Sequence, residues 1–278
     1  MDFVWLTRNI KNAWRHRGSV RDVFARLYLQ YSEKLPVFMR CSELQIGFRY
    51  AEPVGRLQLL MRTNAGSDAF IHSEVFEHNY YQLGLRSVPA TILDLGANTG
   101  MTAIYFRRSF PGVPLACVEP MPGNLRVLRR NLELNKVNAE VIAVAVDASD
   151  GFIQMEVSVK DYGHRVLGSG EISGREHIEV SAYSIPTLLS QLGWDRIGLL
   201  KIDIEGHEKV LLSRNASWLS RVDAIGIECH EGFDERDLQN LAHRFGFDAP
   251  QRLPGIWLLT RTVVARPEGV TAAFTSAT

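Results

Sequence analysis

The spacing of hydrophobic positions changes several times along the chain, and each change marks an element. Within residues 1–40, Phe3, Val4, Trp5, Val20, Val23, Phe24, Leu27 and Tyr28 recur at roughly three- and four-residue steps. That spacing predicts one or two amphipathic helices, broken near Gly18. Glu43–Tyr50 and Arg56–Arg62 read as strands around a turn holding Pro53 and Gly55, which predicts a β-hairpin. Ser67–Leu83 reads as a helix, with Phe70, Ile71, Phe76 and Tyr80 or Tyr81 facing inward.

From residue 90 onward, short apolar runs alternate with helical patterns. Thr91–Leu95, Leu115–Glu119 and Val141–Val146 read as buried strands, with helices at Thr99–Phe110 and Pro122–Asn135 between them. Phe152–Val159 and His177–Tyr183 look like further strands, and the glycine-rich span Lys160–Glu176 that joins them predicts a mobile loop carrying Asp161, Tyr162, His164 and Arg165. The remaining elements are a helix at Ser184–Leu192, a strand at Gly198–Ile204, a helix at His207–Ser213, a strand at Ala224–Cys229, a helix at Glu235–Phe245 and a strand at Ile256–Thr260. Alternation of this kind implies an α/β fold, a doubly wound parallel sheet covered on both faces. The chain divides into a basic helical arm (1–40), a β-hairpin extension (41–66), one large domain (67–266) and a small, polar tail (267–278).

Composition narrows the partners. Thirty-one Lys and Arg balance 31 Asp and Glu, so no global field steers the chain toward nucleic acid. The arm departs from this balance: Arg8, Lys11, Arg15, Arg17, Arg21, Arg26, Lys34 and Arg40 face only Asp2, Asp22 and Glu33. A helix that packs on the core or on a second subunit is the first reading, and a membrane-surface helix is the second. Cys41, Cys117 and Cys229 lie far apart and lack thiolate-metal spacing, which points to free thiols in a reducing, cytoplasmic compartment. Neither an export leader nor an apolar run of about 18 residues is expected.

The most informative stretch is Ile92-Leu93-Asp94-Leu95-Gly96-Ala97-Asn98-Thr99-Gly100, a buried strand ending at a glycine-rich turn that opens a helix. Gly96 lets backbone approach a ligand, Gly100 lets the helix pack on the strand, and the helix start favours an anion. A dinucleotide fingerprint reads G-x-G-x-x-G, whereas this turn reads G-A-N-T-G with an acid two residues ahead. An acid there would repel a pyrophosphate and suits the amino group of a methionine moiety. Glu119, just over twenty residues beyond Gly96, sits where a carboxylate can accept from ribose hydroxyls.

Asp94-Leu95-Gly96-Ala97-Asn98-Thr99-Gly100, Glu119-Pro120, Asn124-Leu125 and above all Lys201-Ile202-Asp203-Ile204-Glu205-Gly206-His207-Glu208 resemble the FkbM family of S-adenosylmethionine (SAM)-dependent methyltransferases. His207 stands where that family often has a small residue. The resemblance spans about residues 67–231 and implies a Rossmann-like class I methyltransferase sheet, SAM as methyl donor, and a sugar or natural-product hydroxyl as acceptor. The expected SAM contacts are Asp94, Gly96, Ala97, Asn98, Thr99, Gly100, Glu119, Pro120, Ala145, Val146, Asp203 and Tyr81.

Asp203 and Glu205 end the fourth strand of the large domain at the ligand edge, and Glu228 and His230 follow the fifth. Methyl transfer to a hydroxyl needs a base, and His230 suits neutral pH, with Asp203, Glu205 and Glu228 as orienting or alternative groups. The same four residues form an alternative Mg²⁺ site, which is less favoured. Lys201 pairs with a neighbouring carboxylate in one reading, and His207 and His164 read as ordinary histidines. The expected function is SAM-dependent O-methylation of a small hydroxylated acceptor, a saccharide, glycolipid or natural product. The alternatives are a nicotinamide-dependent oxidoreductase and a non-catalytic nucleotide-binding module.

Overall fold

Two antiparallel strands, β1 (Glu43–Arg49) and β2 (Arg56–Arg62), form the expected hairpin, in register from Glu43↔Arg62 to Arg49↔Arg56. A computed structural model describes residues 11, 14–31, 36, 41–63, 67–157, 165–166 and 176–261. Before the hairpin, helix α1 (Val20–Tyr31) lays Val23, Arg26 and Leu29 against it and leaves Phe24 exposed. Asp22 ties the two together by accepting from Gly47 N at 2.8 Å.

The large domain is built on seven strands in the order β12-β13-β11-β10-β3-β4-β5. These are β3 (Ile92–Leu95), β4 (Leu115–Val118), β5 (Glu140–Ile142), β10 (Ile197–Ile202), β11 (Val222–Ile227), β12 (Gln251–Arg252) and β13 (Trp257–Thr260). The strands from β5 to β11 run parallel, as alternation with helices predicts. β13 departs from that expectation: it inserts antiparallel beside β11, and a tight turn at Gly255 brings it back from β12. Helices α2 (Ser67–His72), α3 (Met101–Ser109), α4 (Pro122–Leu134), α5 (Ile185–Leu192), α6 (Glu208–Ser213) and α7 (Glu235–Phe245) connect or flank the strands. Apolar side chains form two clusters. One, with Ile104, Phe106 and Leu128, joins the hairpin to the sheet, and the other, with Leu188, Leu211 and Leu238, fills the opposite face. The doubly wound sheet is therefore covered on both sides, and its strands read as continuous buried runs.

Two expected elements are divided. The Ser67–Leu83 helix gives way at Ser73–Glu77 to a π-helical turn and stops at His78, and Asn79 follows in the left-handed region. The expected Val141–Val146 strand breaks after Ile142; β6 (Ala145–Val146) pairs with β9 (His177–Tyr183) in a second sheet that includes β7 (Gly151–Glu156) and β8 (Arg165–Val166). Most of the Lys160–Glu176 loop, with Asp161, Tyr162 and His164, lies outside the described residues, as do the first ten residues and the tail after Arg261.

Candidate active site

β3 ends in the glycine-rich turn because nothing but glycine fits. At Gly96 (φ 72°) an added Cβ would stand 1.8 Å from the carbonyl oxygen of Asp203. Asn98 also takes a left-handed φ of 47°, which asparagine tolerates better than most residues. Gly100 (φ 79°) caps α3, and a Cβ there would press Leu128 at 3.2 Å.

A cavity of about 590 Å³ opens on one side of this turn, between Gly96, Asn98 and Pro120 and the apolar Val118, Val144, Val146 and Met155. Glu119 is buried in its wall. Its Oε2 accepts from Asn98 N at 2.9 Å, and its Oε1 accepts from Met121 N at 2.9 Å and from Asn124 Nδ2 at 3.2 Å. Burial pushes its pKa up while these donors pull it down. Ala145, Asp203, Glu205 and His207 also line this side.

A second cavity, of about 780 Å³, lies across the turn and shares Gly96, Asn98, Asp203 and Glu205 with the first. Tyr80, Tyr81, Ala97, Thr99, Glu228 and His230 line it, so the expected reacting groups converge at one place. The strands stop short of them: β10 ends at Ile202 and β11 at Ile227, and the acids and His230 project from the following loops. Phe70 and Glu74 also line this cavity and were not anticipated. Glu74 lies in the π-helical turn Ser73–Glu77, four residues after Phe70, and carries no site signal in the sequence.

His230 Nδ1 lies 2.9 Å from Glu208 Oε1, while its Nε2 faces Glu205 at 3.5 Å, Asp203 at 3.8 Å and Glu228 at 3.9 Å. Burial alone would lower the imidazole pKa, but the hydrogen bond and charge of Glu208, with Asp203 and Glu205, raise it to about 9. The carboxylates around His230 thus favour its charged form, which must lose its proton before the ring can act as a base. Glu228 is pushed up to about 8, by burial first and the charge of Asp203 second. Burial, then Asp203 and Glu205, raises Glu74 to about 7. Asp203, Glu228 and His230 bring one potential ligand atom each within 4.8 Å of one another, and Glu205 falls outside that trio.

Asp94 and Gly100 line neither cavity. Asp94 was expected to meet a ligand's amino group. It is instead fully buried, accepting from Thr102 Oγ1 and pairing with Lys201 Nζ at 3.2 Å. Lys201 also donates to Gly96 O at 2.7 Å, so the pair braces the turn from beneath. Burial would lower the Lys201 pKa, yet Asp94 and Asp203 hold it well above its ordinary value. His207 pairs with Asp147 at 2.8 Å, which gives it a structural partner. Glu208, given no role in the sequence although it closes the Lys201–Glu208 block, is the buried partner of His230 and also accepts from Ile204 N at 3.2 Å.

Comparison with known proteins identifies the family of the chain. The family model "Methyltransferase FkbM domain" matches residues 94–248, more than half of the chain. The 31-O-demethyl-FK506 methyltransferase FkbM of Streptomyces tacrolimicus is 27% identical over 200 residues, covering 60% of this chain and 76% of that protein. Methyltransferase sdnD of Sordaria araneosa is 27% identical over 173 residues, covering 51% of this chain and 67% of that one. The crystal structure of Methyltransferase FkbM from Methylobacillus flagellatus KT aligns with a TM-score of 0.46 at 15% identity, covering 93% of this chain and 60% of that one. The match spans both the Gly96 turn and the Asp203–His230 cluster, which sets aside the nicotinamide reading: the chain belongs to the FkbM methyltransferase family and uses S-adenosylmethionine as its cofactor.

Proposed function

We propose that the chain transfers a methyl group to a hydroxyl oxygen of a small acceptor, a saccharide, glycolipid or natural product. The observation that carries this reading is the pair of cavities meeting at Gly96, Asn98, Asp203 and Glu205. The apolar cavity with its single buried carboxylate suits a nucleoside, and the other gathers proton-accepting groups.

The residues fit SAM on the geometry of the turn itself. Asn98 Oδ1 and Thr99 Oγ1 are buried without a hydrogen-bond partner among the described residues, an unmet polar demand where the cofactor would lie. When bound, SAM supplies an electrophilic methyl group on a sulfonium. Glu119 would accept from the ribose hydroxyls, and Val118, Val146 and Met155 would offer the adenine an apolar wall. Asp203 and Glu205 offset positive charge at the junction of the two cavities. His230, once it has lost its proton, takes the acceptor's hydroxyl proton at Nε2, and Glu208 holds the ring by Nδ1. Placing the two reactants on either side of one rigid turn supplies much of the rate.

The Mg²⁺ alternative is supported by the Asp203, Glu228 and His230 grouping. We favour the base because Mg²⁺ prefers oxygen ligands and a near-ideal octahedron, and an imidazole is a poor member of that set. For location, we favour the cytoplasm; no helix among the described residues is long and apolar enough to cross a membrane. The test is calorimetric titration with SAM, followed by methyl transfer from labelled SAM to hydroxylated acceptors, with the products analysed for O-methyl groups. Micromolar binding with O-methylated products is expected. Binding without transfer to any acceptor favours a non-catalytic module, and N- or C-methylated products overturn the hydroxyl reading.

A further inference from the structure

The hairpin lies outside the residues matched by the family model, yet a buried chain of hydrogen bonds joins it to the cofactor-side carboxylate. Arg62, the last residue of β2, clamps Asp68 through Nε at 3.1 Å and Nη2 at 2.8 Å. Its Nη1 donates to Asn124 Oδ1 at 2.9 Å, and Asn124 Nδ2 donates to Glu119 Oε1 at 3.2 Å. All four side chains are buried: relative exposures are 7% for Arg62, 0% for Asp68, 3% for Asn124 and 4% for Glu119.

The chemistry makes this chain directional. A guanidinium carries only donors, so Asn124 must turn its oxygen toward Arg62. Its amino group is then left to face Glu119. Without Arg62 the amide is free to flip and present its oxygen to the carboxylate, which would repel it. The strand bearing Arg62 is itself fixed to α4. Asn131 accepts from Leu60 N at 2.7 Å and donates to Leu60 O at 3.2 Å, and Asn135 accepts from Gln58 N at 3.1 Å and donates to Gln58 O at 2.7 Å. Two asparagines one helical turn apart thus imitate the edge of a partner strand. Asn131 also donates to Thr99 O at 3.0 Å, which ties the same helix face to the glycine-rich turn.

We infer that Arg62 is a positioning residue for Glu119, acting through Asn124, so that the N-terminal hairpin is a working part of the cofactor site. The inference rests on the reading of Glu119 as the ribose-binding group. It is tested on the full chain by SAM calorimetry and thermal melting of Glu119→Ala, Asn124→Ala, Arg62→Lys and the Asn124→Ala/Glu119→Ala double variant. Lys at 62 keeps the charge but lacks the fork that reaches two partners. Glu119→Ala is expected to weaken SAM. Asn124→Ala and Arg62→Lys should each weaken it about tenfold, the loss of one hydrogen bond to a charged group. The double variant should bind no more weakly than Glu119→Ala alone. A loss in the double variant equal to the product of the single losses marks a merely structural effect and overturns the relay. Unchanged affinity in Asn124→Ala, with Glu119→Ala weakened, also overturns it. Unchanged affinity in Glu119→Ala sinks the ribose reading itself. Unchanged affinity in Arg62→Lys, with Asn124→Ala weakened, overturns the role of Arg62; if that variant fails to fold, the Arg62→Leu/Asp68→Leu pair, which strands no buried charge, takes its place under the same criterion.

Discussion

His230 Nδ1 stands 2.9 Å from Glu208 Oε1, and Glu208 is fully buried. A buried carboxylate facing one imidazole nitrogen fixes the ring and favours its charged form, leaving Nε2 toward the acceptor-side cavity. Base catalysis needs the neutral ring. Turnover at saturating SAM is therefore expected to climb as pH rises toward about 9, the pKa of His230. His230→Ala should lower turnover by about a hundredfold or more and remove that rise, with little change in SAM affinity. A pH–rate profile of both proteins checks this, and an unaltered profile in the variant assigns the base elsewhere.

The same ring leaves a mark on stability. Its pKa in the folded protein lies above the ordinary histidine value of 6.5, so the charged ring stabilises the fold below pH 6.5, and that contribution fades as pH rises through about 9. Glu74 also makes stability fall as pH rises, but by a cost that appears rather than a gain that fades. Its carboxyl is raised from 4.5 to about 7, so ionising it costs stability above pH 4.5, and the cost is complete once pH passes about 7. Glu74→Gln is expected to stabilise the protein by about 1 kcal/mol at neutral pH and above, a figure discounted for solvent screening of a half-buried group. The gain should vanish near pH 4. Thermal melts of the two proteins across that range measure it, and a gain that does not depend on pH rules out the ionised carboxylate, destabilised by burial and by Asp203 and Glu205, as its source.

Much of this was readable from the chain because the determinants are local. The Gly96-Ala97-Asn98-Thr99-Gly100 turn is dictated by backbone conformations that few residues adopt, and the buried strands carry continuous apolar runs. What escaped was tertiary. Asp94 carries an acid's signature, but whether it faces a ligand or Lys201 depends on β3 and β10 lying side by side, with Lys201 opposite Asp94. Ala145 and Val146 look like the end of one strand, yet a break after Ile142 passes them to another sheet. Arg62 and Asn124 are 62 positions apart, and no periodicity relates them.

The grouping of Asp203, Glu228 and His230 permits a direct test of the metal alternative. With a side-chain base, turnover after exhaustive chelation with EDTA should stay within about twofold of the untreated enzyme. With a metal-activated acceptor it should collapse and return on adding Mg²⁺, since the ion would replace the base. Assaying chelated and Mg²⁺-restored enzyme in parallel separates the two.

Gly255, in the turn between β12 and β13, lies against the ring of Tyr80, and a Cβ there would fall 2.0 Å from Tyr80 Cε2. Its φ of 74° also disfavours any side chain. Tyr80 lines the acceptor-side cavity but not the cofactor-side one. Gly255→Ala should therefore push the ring into the acceptor's space while the Gly96 turn stays in place. The expected outcome is a rise of about tenfold in KM for the acceptor, SAM affinity within about twofold, and a stability loss of about 1 kcal/mol from the strained backbone. Tyr80→Ala in the Gly255→Ala background removes the collision and should recover part of the acceptor KM if steric displacement is the cause. Acceptor KM and SAM affinity measured on the two variants decide it: a loss confined to SAM binding would mean that Tyr80 serves the cofactor instead.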